Sequence, residues 1–200
     1  MFKIICVTNR NLCDGDFLKQ MKKIAIGKPD AVILREKDLS EEDYSSLAEK
    51  VMDICGEAQV RCILHSYASA AASLGADSLH LPLPLLKDTD VAVIRGFDTL
   101  GVSCHSAADV SLAEKLGATY VTAGHIFETD CKRDIPPRGL GLLSDITETA
   151  VVPVYAIGGI NADNIALTKD AGASGACIMS GLMRSDDPAA FIEHLRSRVI

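Results

Sequence analysis

Four of the five histidines in this sequence, His65, His80, His105 and His125, end or just follow short apolar runs. His125 has the most reactive setting. It lies in Gly124-His125-Ile126-Phe127-Glu128-Thr129-Asp130-Cys131-Lys132, between a glycine that lets a ligand approach the backbone and a polar stretch ending in lysine. A neutral imidazole can take and return a proton near pH 7, which makes His125 the candidate acid/base. His80, flanked by Leu79 and Leu81, fits a buried structural role, and His105, just before Ser106, fits helix entry. His194, between Glu193 and Leu195, fits surface or packing, and His65 stays open. The histidines come from separate segments without local ligand spacing, so their signal for a metal site is weak. Cys131 could become a nucleophile only if Lys132 and Arg133 lowered its pKa.

A second chemistry is anion binding. Ala156-Ile157-Gly158-Gly159-Ile160-Asn161 and Ile178-Met179-Ser180-Gly181 each close an apolar run with small residues, where backbone N–H groups can hold a phosphate. Arg35 and Lys37 follow another apolar run, Thr8 and Asn9 follow the first, and Ser103 closes a fifth. One end of these runs therefore collects cations and imidazoles, in a chain whose net charge is −7. An anionic small molecule suits that end.

The runs that must position these groups are Lys3–Thr8, Ala31–Arg35, Cys62–His65, Ser78–Leu81, Leu100–Cys104, Tyr120–Gly124, Val152–Ile157 and Ala176–Ser180. Amphipathic helical patterns lie between them. Ser40–Cys55 opens on the capping pattern Ser40-Glu41-Glu42-Asp43. Ala107–Leu116 and Asn161–Ala171 run up to Gly117 and Gly172, and Pro188–Val199 starts on a proline suited to a first turn. Gly-Ala recurs at 75–76, 117–118 and 172–173, at the turn from helix back to strand. Eight such units in a single domain spanning residues 1–200 predict a compact α/β fold, a (β/α)8 TIM barrel with its site at the C-terminal ends of the strands. In that fold the loops after strands seven and eight commonly hold phosphate. A doubly wound open sheet is the alternative, without a Gly-x-Gly-x-x-Gly after the first strand to support it.

Composition excludes several classes. With 48% hydrophobic residues the chain is too apolar for disorder, and 20 Lys+Arg against 27 Asp+Glu leave no basic surface for nucleic acid. No apolar run approaches the ~18 residues of a membrane span. The start, Met1–Val7, reads as a buried strand and not a signal peptide. Seven cysteines, an odd number, suggest neither a disulfide framework nor a zinc ribbon, and the expected location is cytoplasmic.

Val121–Lys132 with Arg138-Gly139, Ala156–Ile160, and Gly172-Ala173 with Met179-Ser180-Gly181 resemble the thiamine-phosphate-synthase superfamily, most closely its TenI-type thiazole tautomerases. Synthases of this superfamily carry Gln-x-Arg-x-Lys after strand two and Asn-Asp-Arg after strand three. They carry a second metal-binding Asp five residues past the His80 position. Here Ile33 replaces the Gln, Ser66 the first Asp and Leu85 the second, while Arg35 and Lys37 remain. The resemblance therefore implies an isomerase of thiamine biosynthesis that aromatises a carboxythiazole phosphate tautomer without cofactor or metal. His125 would be its catalytic acid/base. Arg35, Lys37, Ser103, Thr129, Lys132, Gly158, Gly159, Met179 and Ser180 would bind the substrate. The alternatives are a thiamine-phosphate synthase, a transferase, or a non-catalytic thiazole-phosphate-binding regulator. The expected partner is a small-molecule thiazole phosphate, with no nucleic acid and no membrane, and the expected assembly is a homodimer or homotetramer.

Overall fold

The computed structural model describes residues 1–130 and 135–200. Eight parallel strands close into a barrel in sequence order: β1 (Lys3–Val7), β2 (Ala31–Leu34), β3 (Arg61–His65), β4 (Ser78–Pro82), β5 (Thr99–Cys104), β6 (Tyr120–Gly124), β7 (Val154–Ile157) and β8 (Gly175–Ile178). The ring is sealed by β1 against β8, with Lys3 opposite Gly175 and Cys6 opposite Ile178. The expected (β/α)8 barrel is the architecture observed.

Because side chains alternate across a strand, each strand feeds two cores. Ile5, Val7, Ile33, Ile63, Tyr120 and Tyr155 pack together inside the ring. Their neighbours Ile4, Cys6, Val32, Leu34, Leu64 and Val121 face outward, buried under the helices. Continuous apolar runs are what this two-sided burial demands. The helical shell comprises α1 (Phe17–Ile26), α2 (Glu41–Glu57), α3 (Ala68–Ser73), α4 (Leu83–Asp88), α5 (Val91–Ile94), α6 (Ala107–Lys115), α7 (Gly139–Thr149), α8 (Ile165–Asp170), α9 (Ser180–Met183) and α10 (Pro188–Ser197). Among the described residues no helix is long and apolar enough to cross a membrane.

Local chemistry explains where elements start and stop. Ser40 caps α2, its Oγ accepting from the Asp43 N–H at 3.1 Å. Gly117 and Gly172 take φ values of +95° and +86°, the left-handed turn that releases the chain from helix to strand. Several expected boundaries shift, two of them beside the site. The helix expected from Asn161 begins at Ile165, because Asn161 and Asn164 spend their side-chain oxygens on the Asp163 and Asn161 N–H groups in a turn. The eighth strand ends at Ile178, and Ser180 opens α9.

Tyr44 ties this shell to the barrel. Fully buried on α2, it donates its hydroxyl proton to the Leu34 carbonyl at 2.8 Å and accepts the His65 N–H at 2.8 Å. Tyr44→Phe leaves both backbone groups unpaired in the core. It should lower unfolding free energy by about 1–3 kcal/mol, read as a shift in urea midpoint without a change in slope.

Candidate functional site

A cavity of about 1390 Å³ opens at the C-terminal ends of the strands. Its wall brings together Arg35 and Lys37 after β2, Ser103 at the end of β5, and His125 and Thr129 after β6. Gly158 and Gly159 after β7 and Met179 and Ser180 after β8 complete that set. These groups come from parts of the chain as far apart as residues 35 and 180, and barrel closure alone unites them. Lys132, expected in the same wall, and Cys131 lie outside the described residues.

His125 follows a cis peptide bond from Gly124 and is only 4% exposed. Its Nε2 lies 3.1 Å from the Ile135 carbonyl, which can only accept, so Nε2 carries the proton of the neutral ring. Nδ1 is then a bare acceptor, and it is the one buried side-chain nitrogen or oxygen without a partner among the described residues. Gly158 and Gly159 pack against this loop. With φ of +100° and +68° both sit in the left-handed region, and a Cβ on Gly158 would strike His125 while one on Gly159 would strike the Phe127–Glu128 backbone. These glycines let the β7 loop close onto the β6 loop.

His105 is exposed at the rim, with Nδ1 donating to the Gly124 carbonyl at 2.7 Å, while Arg138 donates to its backbone carbonyl at 3.0 Å. It buttresses the β6 loop. His65 and His80 are buried and stacked, with ring centroids 5.2 Å apart. Burial pushes the His80 pKa down to about 3, with smaller contributions from Arg35 and Lys37. Burial, then His80, Arg35 and Lys37, push His65 well below its ordinary value. Both rings are neutral, and the two cations nearby reinforce that state.

Sequence reasoning missed the clasp that sets the β2 cations in place. Glu36, between Arg35 and Lys37, is 3% exposed and turns away from the cavity. It accepts from the Thr8 hydroxyl at 2.6 Å, from the Arg10 N–H at 3.0 Å and from the Arg10 guanidinium at 3.2 Å. Thr8 Oγ1 in turn accepts the Arg35 N–H at 2.9 Å. Arg10 completes the clasp with a two-pronged grip on Asp38 at 2.6 and 2.7 Å, which holds that carboxyl down to about 2. The alternation of Arg35, Glu36, Lys37 and Asp38 was the signal: every second residue belongs to the strand-one side. Arg184, which also lines the cavity, was missed too; it caps α9 directly after the Ser180-Gly181 turn.

The carboxylates that the resemblance implies at positions 66 and 85 for a divalent metal are absent, while Glu128 and Asp130 lie in the cavity wall. Among the described residues no three His, Cys, Asp or Glu side chains are grouped to hold a metal ion. Ser66 spends its hydroxyl on His65 Nδ1 at 2.6 Å, and Leu85 is a half-exposed aliphatic on α4.

Residues 4–182 match the model of the family described as thiamine monophosphate synthase, TMP-TENI. The chain belongs to that family. It is 30% identical over 197 residues to the thiamine-phosphate synthase of Fusobacterium nucleatum, covering 96% of this chain and 95% of the relative. It is 33% identical over 201 residues to that of Coprothermobacter proteolyticus, covering 98% and 94%. The solved thiamine phosphate pyrophosphorylase from Pyrococcus furiosus superposes with a TM-score of 0.85 at 26% identity, covering 99% of this chain and 95% of that one. These family members correct the expected isomerase: the relatives are named as thiamine-phosphate synthases, which are transferases. His125 is held by the Ile135 carbonyl at Nε2, and its Cβ packs close to Gly158.

The neutral His80 gives this barrel an acid-sensitive step. An unfolded histidine takes its proton near pH 6.5, whereas folded His80 refuses it until about pH 3. Its contribution to stability is therefore complete above about pH 6.5 and is lost as pH falls toward 3. Urea midpoints measured from pH 6.5 to 4.5 should fall for the native chain and fall less steeply for His80→Asn.

Proposed function

We propose that this protein is a transferase of thiamine biosynthesis, joining a pyrimidine diphosphate to a thiazole phosphate to form thiamine phosphate and release diphosphate. What supports the reading, beside family membership, is that the cavity wall carries two sets of groups suited to anions. One is the Arg35–Lys37 pair, presented by the Glu36 clasp. The other is the small-residue backbone of Gly158–Gly159 and Met179–Ser180, with Arg184 beside it. A reaction between two phosphorylated partners can use both sets, one for each anion.

In this reading the β7 and β8 loops hold the thiazole phosphate through backbone amides. Arg35 and Lys37 face the diphosphate and stabilise the charge that accumulates as it leaves. Ser103, Thr129 and His125 line the same cavity and face the ligand. Side-chain cations share in neutralising the leaving group.

A second reading follows from the same lack of a metal-binding set at Ser66 and Leu85: the protein binds the thiazole phosphate and does not turn it over, serving as a regulator. One assay separates the two. Incubated with both phosphorylated substrates and Mg²⁺, the native protein should release diphosphate and form thiamine phosphate. Arg35→Ala should cut the rate by about tenfold to a hundredfold, the loss of a charge-assisted contact worth roughly 1.5–3 kcal/mol. Binding of thiazole phosphate without diphosphate release would select the regulator. Failure to bind either substrate would remove both readings.

A further inference from the structure

The barrel interior holds a chain of hydrogen bonds whose proton order can be worked out atom by atom. His80 on β4, Gly101 on β5 and Tyr120 on β6 stand side by side in register. Gly101 has no side chain between them, and a Cβ there would collide with both the Tyr120 phenol and the His80 ring. Across that gap the Tyr120 hydroxyl meets His80 Nδ1 at 2.9 Å. The other ring nitrogen, Nε2, meets Ser103 Oγ at 2.8 Å, two residues along β5. Ser103 lines the cavity, whereas Tyr120 and His80 do not.

Tyr120 is 4% exposed, and burial raises its pKa well above the ordinary value, so it keeps its proton. Among the described residues His80 Nδ1 is its one hydrogen-bond partner. A buried hydroxyl that donated to nothing would carry the full desolvation cost. The phenol therefore donates to Nδ1, and the neutral ring must carry its proton on Nε2. Nε2–H then donates to Ser103 Oγ, which also takes the Thr122 hydroxyl at a looser 3.5 Å. Ser103 Oγ thus accepts from below through Nε2–H, and its own proton is left to donate toward the cavity.

From this ordering we infer that Tyr120 is a positioning residue: it fixes the His80 tautomer and so commits Ser103 as a hydrogen-bond donor to the ligand. The bound molecule must present an acceptor at Ser103, such as a ring nitrogen or a phosphate or carboxylate oxygen. A ligand that offers only a donor there competes with Nε2–H for the Ser103 lone pairs and is disfavoured. The ligand half of this inference rests on the transferase reading; the tautomer does not.

Nitrogen-15 NMR of the free protein reads which ring nitrogen of His80 bears hydrogen. A proton on Nε2 with a bare Nδ1 is expected, and a proton on Nδ1 would overturn the proposal. Thiamine phosphate then serves as the probe in calorimetry. Ser103→Ala should weaken its binding about tenfold, Tyr120→Phe severalfold, and the double variant no more than Ser103→Ala alone. Additive losses would mean that Tyr120 acts only through stability and would overturn the coupling. Ser103→Thr keeps a hydroxyl and should restore most of the affinity. If thiamine phosphate does not bind the native protein, the transferase reading fails, and the position of the His80 ring proton still decides the tautomer. A Tyr120→Phe chain that does not fold leaves that same measurement, with Ser103→Ala, as the deciding pair.

Discussion

Closure of the ring by β1 on β8 is the constraint from which the rest of the molecule follows. Eight parallel strands, each needing a helix to return the chain, all present their C-terminal ends on one side. Side chains that follow strands at residues 35, 103, 125, 158 and 180 thereby become neighbours around one cavity. The pairing also fixes what lies under that cavity. Strand register is set to the residue, so Gly101 falls between His80 and Tyr120, and a shift of one position would turn every inward group to the helical side.

Much of this was legible in the sequence because the apolar pattern and the helix-to-strand glycines repeat. Two-sided burial forces continuous apolar strands, and only a few residue types tolerate the left-handed turn at Gly117 and Gly172. The line-up of Arg35, Ser103, His125 and the two glycine loops followed from counting strands. What did not follow was anything that depends on which way a residue turns within its loop. Glu36 reads in sequence as one more surface acid between two cations, yet it is buried and organises the β1 and β2 loops through Thr8 and Arg10. His80 was rightly read as structural from its leucine neighbours, but its link to Ser103 depends on the pairing of β4 with β5, which no local pattern reveals.

The choice between activities failed for a related reason. His125 and the absence of carboxylates at Ser66 and Leu85 are single positions, whereas the similarity to the named synthases runs over nearly the whole chain. In the fold, the His125 ring is anchored at Nε2 by the Ile135 carbonyl, a structural tie that a residue type alone does not reveal. Residue types at a site constrain charge and shape more tightly than they constrain reaction class.

The floor of the site is built from neutral polar groups, and its rim from charged ones. His65 and His80 stay uncharged under Arg35 and Lys37, which removes what would otherwise be repulsion between buried imidazolium and the cations above. A positive floor would bind an anion more strongly and would also be costly to bury. Leaving the interior neutral allows Arg35 and Lys37 to be held at the mouth by Glu36, Thr8 and Arg10, where water can still solvate them before the ligand arrives. Charge then supplies attraction at the rim, while the ordered hydroxyls and ring nitrogens below discriminate by direction, accepting or donating at fixed points. A site divided in this way can bind highly charged phosphates without building a charged core, and that division is what the barrel's alternation of inward and outward side chains makes possible.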